Sequence, residues 1–222
     1  MVRVGVVRKA VAVVLTIASL GSAVAGAPTA GAADACPDVE LVFARGTGEP
    51  PGPGRVGQAL ADTLTPMLGG RSLAVYGVNY PASVNFLTTA AGATDTEVHL
   101  ATAAVACPAT RFVLGGFSQG AAVMSMLAGV APLGTLVGNL GSAPPLPPEA
   151  ADQIAAVAVF GNPSARFGTP LSTTGLFAGQ AVDLCSPGDP ICFPGGRDRS
   201  AHNGYEFPPY VTDAAAFVAG RV

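Results

Sequence analysis

Charge is the scarcest resource in this chain: only 11% of its 222 residues are Asp, Glu, Lys or Arg, against the usual quarter, while half are hydrophobic. So apolar a composition excludes a disordered chain, and so little charge excludes a coiled coil. The length suits one α/β domain with a large core. Lysine is almost absent, Lys9 being the only one, and a phosphate-binding P-loop or a Schiff base each requires a lysine. After Asp34, eight arginines face fourteen acids counted from Asp34 onward, which argues against a polyanion-binding surface, so no nucleic-acid partner is expected. Beyond the first thirty or so residues no stretch approaches the roughly twenty apolar residues of a membrane span, and a stable span is not expected.

The N-terminus has its own logic. Arg3, Arg8 and Lys9 precede an almost wholly apolar run from Ala10 to Ala27, and Ala30-Gly31-Ala32 supplies small residues of the kind a signal peptidase accepts. Residues 1–32 are therefore predicted to be a secretory signal peptide and 33–222 the mature domain. The expected location is extracellular, free or held at the cell wall. Thr16, Ser19, Gly21 and Ser22 interrupt the apolar run, and no basic cluster follows it, so a retained anchor is the weaker reading. Four cysteines (Cys36, Cys107, Cys185, Cys192) lie beyond it, an even count that suggests two disulfides. Three pairings are possible. The local choice is Cys185 with Cys192, which would leave Cys36 to join Cys107. With no CxxC pair and thiolates disfavoured in an oxidising compartment, a metal site is not expected, and no cofactor is expected either.

Strand-length apolar runs recur at Leu41–Ala44, Leu73–Val78, Phe112–Gly115, Ala155–Phe160 and Ala181–Leu184. Helical periodicity appears over Val56–Leu68, Thr94–Val105, Gln119–Leu127 and Val211–Val218. This alternation predicts an α/β fold around a parallel sheet buried on both faces. The proline-rich stretches Glu49–Pro53 and Pro144–Pro148 read as surface loops.

Gly116-Phe117-Ser118-Gln119-Gly120 fits G-x-S-x-G, a short pattern whose weight comes from its context. It falls between a buried strand and a helix, so Ser118 stands at a strained strand-to-helix corner with its hydroxyl beyond the sheet. The next amide, of Gln119, opens the helix and is a preformed oxyanion donor. A serine hydroxyl needs a base, in this site type a histidine held by a carboxylate. Of two histidines, His99 precedes the serine on a helical stretch beside Glu97 and reads as a solvated or capping residue. The chain order nucleophile, acid, histidine selects His202. Among the intervening acids, Glu149 and Asp152 read as helix-start charges, Asp183 lies inside a strand, and Asp198 between two arginines reads as a surface ion pair. Asp189 remains, inside the Cys185–Cys192 loop, where a disulfide would fix its position. An Asx turn before Pro190 is its bland alternative.

Together, Gly116-Phe117-Ser118-Gln119-Gly120-Ala121, the acid between Cys185 and Cys192, His202 ten residues after Cys192, and Ala44-Arg45-Gly46-Thr47-Gly48-Glu49 after the first strand resemble a cutinase. The resemblance covers nearly the whole mature chain. It implies a single-domain α/β-hydrolase with a central five-stranded parallel sheet and helices on both faces, a triad of Ser118, Asp189 and His202, and an oxyanion hole completed at Thr47. That family commonly has serine at the Thr47 position and tyrosine at the Phe117 position. Only 71 residues separate Ser118 from Asp189, and two strand units must fit between them, so no lid domain is expected. Leu87, Leu171, Leu176, Phe177, Ile191 and Phe193 are candidates for an acyl-binding rim. The implied function is a secreted serine esterase for short- to medium-chain carboxylic esters, working as a monomer on a lipid, polyester or small acyl ester. The alternatives are an acetylxylan-type carbohydrate esterase and a non-catalytic binding or antigenic protein on a hydrolase fold; Ala121, where acetylxylan esterases usually have glycine, favours the first reading.

Overall fold

The computed structural model describes residues 36–138 and 141–222, together with Met1, Val2 and Gly5. The signal peptide expected over residues 1–32 lies, apart from those three positions, outside the described residues. The chain divides into the units Met1–Asp34 and Ala35–Val222, and the second carries every element that follows.

Five apolar runs become the strands β1 (Val39–Ala44), β2 (Leu73–Gly77), β3 (Arg111–Phe117), β4 (Ile154–Phe160) and β5 (Ala181–Leu184). They pair in parallel in the order β2-β1-β3-β4-β5, with Leu41 opposite both Val75 and Val113. Parallel strands require crossovers, and the intervening amphipathic stretches supply them as helices α1 (Gly54–Leu64), α2 (Ala90–Ala106), α3 (Gln119–Leu127), the single turn α4 (Pro163–Arg166) and α5 (Tyr210–Ala219). Helix α1 ends in a 3-10 turn over Thr65–Leu68, so the periodic stretch read from the sequence is two elements. Each other predicted element is present, most of them one to four residues longer at an end.

Two cores result, one on each face of the sheet. Leu41, Phe43, Val113 and Phe160 meet α1 and α5 through Leu60, Leu64, Val211 and Val218, all buried. Val42, Leu114, Val157 and Val159 meet α2 and α3 through Leu100, Val123 and Met124. Leu171 and Phe177 belong to this second core and are fully buried. That corrects their assignment to a substrate rim: apolar loop residues fill whatever cavity the loop closes, and here the loop folds inward.

The strand order reverses between β1 and β3, whose following connections leave in opposite directions. In an open parallel sheet this divergence opens a crevice beyond the carboxyl ends of the two strands. Thr47 follows β1 and Ser118 follows β3, so the topology alone brings two segments 71 residues apart to one crevice.

Candidate active site

Ser118 occupies a backbone conformation that L-residues rarely adopt, φ 55° and ψ −113°. A turn this tight brings helix and strand backbones together: a Cβ on Gly116 would strike the Gly120 carbonyl, and one on Gly120 would strike the Ala44 carbonyl. Only glycine fits at either position, which is the physical content of the motif. The Ser118 amide donates to the Phe160 carbonyl at 2.9 Å, so the corner stays tied to β4. All nine residues of α3 are buried, anchoring the corner in the core.

His202 reaches the serine from the end of a 3-10 turn over Arg199–His202 that follows β5. Its Nε2 lies 2.8 Å from Ser118 Oγ and its Nδ1 2.7 Å from Asp189 Oδ2. Asp189 is fully buried, yet both its oxygens are occupied: Oδ1 accepts the Ile191 amide at 2.7 Å, and Oδ2 also accepts the Tyr205 hydroxyl at 2.5 Å. Burial pushes its carboxyl up, but the hydrogen bonds from His202, Tyr205 and the Ile191 amide prevail and hold it below the usual carboxylate range. The Ile191 contact is the Asx turn foreseen as the bland role of Asp189. One carboxylate makes the turn with one oxygen and faces the histidine with the other.

Tyr205 was not singled out in the sequence. Fully buried, it accepts the Ser186 amide at 2.9 Å, which leaves its proton to Asp189. Burial, and then the hydrogen bond to Asp189, push its phenol well above the ordinary tyrosine value. Gly161, just past β4, is the second omission: at φ +59° its bare Cα underlies the imidazole, where a Cβ would stand 2.8 Å from His202 Cε1. The Phe117 ring meets the imidazole at 4.9 Å between centroids.

On the other side of Ser118, the loop after β1 is held from beneath. Buried Arg45 donates to the Glu49, Val78 and Tyr80 carbonyls at 2.9, 3.1 and 2.5 Å, and the Glu49 carboxylate takes the Gly46 amide at 2.6 Å. Glu49 is thus a strut of this loop; its place in a proline-rich stretch read as surface conceals that. Thr47 Oγ1 donates to Gln119 Oε1 at 2.8 Å, and Gln119 Nε2 donates to Thr89 Oγ1 at 2.9 Å. The first-turn amides of a helix have no acceptor within it, so the Gln119 amide opens α3 beside Thr47.

The remaining candidates have structural work. His99 stands apart from Ser118: Nε2 meets Glu40 Oε1 at 2.8 Å and the ring stacks on Tyr76 at 3.5 Å. It is half-buried against the sheet edge, which corrects its reading as solvated. Asp183 is taken by Asn162 Nδ2 and the Ser172 amide, both at 2.8 Å. Asp198 caps the turn that carries His202, accepting the Ser200 amide at 2.9 Å and the Ser200 hydroxyl at 2.5 Å. The ion pair expected there does not form among the described residues, because a backbone amide two residues on lies within easier reach than either arginine head. Cys36 is joined to Cys107 and Cys185 to Cys192. Among the described residues no cluster of His, Cys, Asp and Glu could hold a metal ion.

Known proteins with this arrangement supply a family. Residues 35–222 match the family model described as Cutinase. Over 188 residues the chain is 53% identical to the phospholipase Culp4 of Mycobacterium tuberculosis, covering 84% of this chain and 80% of that protein. It is 42% identical over 218 residues to the carboxylesterase Culp1 of Mycobacterium bovis, covering 95% and 93%. Among solved structures, a Trichoderma reesei cutinase in complex with a phosphonate inhibitor is 32% identical with a TM-score of 0.64, covering 83% of this chain and 76% of that one. An acetylxylan esterase superposes with a TM-score of 0.71 at 23% identity, covering 84% and 99%, a likeness of fold alone. A family match across the whole five-stranded unit, joined to relatives this similar over most of both chains, makes this chain a member of the cutinase family and a serine-type carboxylic ester hydrolase.

Proposed function

We propose that the protein is a secreted esterase that cleaves carboxylic esters of short- to medium-chain acyl groups through an acyl-enzyme on Ser118. The observation that carries this reading is the continuous relay from Ser118 Oγ through His202 to buried Asp189, at 2.8 and 2.7 Å. His202 Nε2 takes the serine proton while Oγ bonds to the ester carbonyl carbon. The negative charge that develops on the carbonyl oxygen falls beside Thr47 and the Gln119 amide, which act as the oxyanion donors. Collapse breaks the bond to the alcohol oxygen, and the His202 proton goes to it. Water then repeats the sequence on the acyl-enzyme, releasing the acid and restoring Ser118. Asp189 fixes the tautomer that keeps Nε2 free to accept a proton.

Exposed Leu87 and Phe193 offer apolar surface for a short acyl chain. Residues 1–32 serve as the secretory leader and 33–222 as the mature enzyme; the two disulfides suit an oxidising compartment. Among the described residues no helix is long and apolar enough to cross a membrane. The proposed working unit is a monomer. The test is a panel of nitrophenyl esters from acetyl to palmitoyl run beside acetylated xylan. A maximum between butyryl and octanoyl is expected; release of acetate from xylan with weak activity on butyryl ester would replace this reading with the carbohydrate-esterase one.

A further inference from the structure

The loops that follow β4 and β5 enclose an open cleft of about 490 Å³ lined by Arg166, Pro190, Ile191, Arg199, His202 and Asn203. Two of its six lining residues are arginines and none is acidic, in a chain whose net charge is −3. Arg166 ends α4 and donates to the Pro190 carbonyl, next to Asp189. Arg199 opens the 3-10 turn that ends in His202. Both side chains are exposed, and among the described residues neither makes an ion pair. The acids around them are engaged elsewhere: Asp189 by His202 and Tyr205, Asp198 by Ser200, Asp183 by Asn162 and Ser172. Glu49 and Glu206 are tied to Arg55, whose guanidinium lies over the Phe117 ring.

We propose that Arg166 and Arg199 bind a phosphate group on the alcohol half of the ester, so that the enzyme prefers esters whose leaving alcohol carries a phosphate. This rests on the triad reading above and adds the direction of the substrate. His202 must give its proton to the leaving oxygen, so the alcohol lies at His202. The oxyanion donors follow β1 and β3, whereas the cleft is built by the loops after β4 and β5 and has His202 as part of its wall. The alcohol half therefore extends into the cleft, where two guanidinium groups offer the planar donor forks that match phosphate oxygens.

The experiment compares 1-butyrylglycerol with 1-butyrylglycerol 3-phosphate, a pair that shares its acyl group and reacting alcohol and differs only in the phosphate. At low ionic strength the wild type should show a kcat/KM about tenfold higher on the phosphate ester, and the advantage should shrink as salt is added. The double variant Arg166→Gln with Arg199→Gln should bring the ratio of the two kcat/KM values to one or below, and the Arg166→Lys, Arg199→Lys pair should keep most of it. The ratio cancels any general loss from disturbing the turn that carries His202. A wild-type ratio of one or less, or a ratio unchanged by the glutamine pair, overturns the proposal. The same comparison with dioleoyl phosphatidate and dioleoylglycerol in neutral detergent micelles identifies the source: an advantage there assigns a lipid headgroup, and one confined to the soluble pair assigns a soluble phosphate ester. If nitrophenyl butyrate and both glycerol esters are inert, the esterase reading fails. Calorimetric binding of glycerol 3-phosphate against glycerol then decides the cleft alone: preference for the phosphate, lost in the glutamine pair, supports it, and equal or absent binding overturns it.

Discussion

Replacing Gly161 with alanine should damage catalysis out of proportion to stability. The residue has φ +59°, and the added Cβ would lie 2.8 Å from His202 Cε1, 3.0 Å from Nδ1 and 3.2 Å from the Tyr205 ring, where ordinary contact begins at 3.4 Å. To restore ordinary contact, the imidazole must retreat by about 0.6 Å. That retreat stretches the hydrogen bonds of 2.8 Å to Ser118 and 2.7 Å to Asp189 together. Misplacement of about 1 Å can cost on the order of 100-fold in rate, so for about 0.6 Å a fall in kcat of roughly 10- to 30-fold is expected, with a much smaller change in KM. The backbone cost of a left-handed alanine is about 1–2 kcal/mol, or a lowering of Tm by several degrees in a domain of this size. Gly69→Ala supplies the control, since Gly69 has φ +63° and open space around its Cα. It carries the same backbone penalty without the contact. Kinetics on nitrophenyl butyrate and thermal unfolding of both variants separate the two effects. If Gly161→Ala keeps kcat within twofold of Gly69→Ala, the position of His202 does not limit the reaction and the relay reading is refuted.

Other substitutions test the remaining parts. His202→Ala should lower kcat by several orders of magnitude, whereas His99→Ala should leave kcat near wild type and instead lower Tm, because His99 joins α2 to Glu40 and Tyr76; the reverse result would identify His99 as the base. Asp189 has its folded pKa below the ordinary value of about 3.9, so its ionised form stabilises the fold above that value, and the stabilisation is lost as pH falls through the lower folded pKa. The stability difference between wild type and Asp189→Asn, from urea unfolding, should therefore shrink as the pH falls below about 4; a difference that does not shrink there would contradict the assignment. The Cys185–Cys192 bridge closes a separation of 7 residues and Cys36–Cys107 one of 71, for which loop-closure entropy gives about 2.4 and about 4.4 kcal/mol. Serine at Cys185 and Cys192 should cost more in turnover than in stability, and serine at Cys36 and Cys107 the opposite. Wild-type turnover in the first pair would show that the short loop does not position Asp189.

Features set by local chemistry could be read from the sequence. Period and apolarity marked β3 and α3, and the glycines around Ser118 marked the corner between them, because a close backbone approach tolerates no Cβ. Asp189 stood out because a short cysteine-bounded loop restricts what lies inside it. Contacts between loops far apart in the chain left little trace. Tyr205 lies three residues past His202 with nothing in its spacing to tie it to Asp189, though a buried tyrosine hydroxyl always requires a partner. Gly161 looked like any glycine after a strand until the imidazole above it was in place. Leu171 and Phe177 show that apolar loop residues are ambiguous between rim and core. Asp198 shows that a charge between two arginines in sequence can instead take a backbone amide.

If Ser118 is the nucleophile that His202 activates, covalent trapping will mark it. A nitrophenyl phosphonate ester should inactivate the enzyme with release of one equivalent of nitrophenolate, and mass spectrometry of the digested protein should place the phosphonyl group on Ser118. The Ser118→Ala protein should release none and carry no label, and His202→Ala should label far more slowly than wild type. A label on any other residue accompanied by full inactivation, or stoichiometric nitrophenolate release from Ser118→Ala, would show that Ser118 is not the nucleophile.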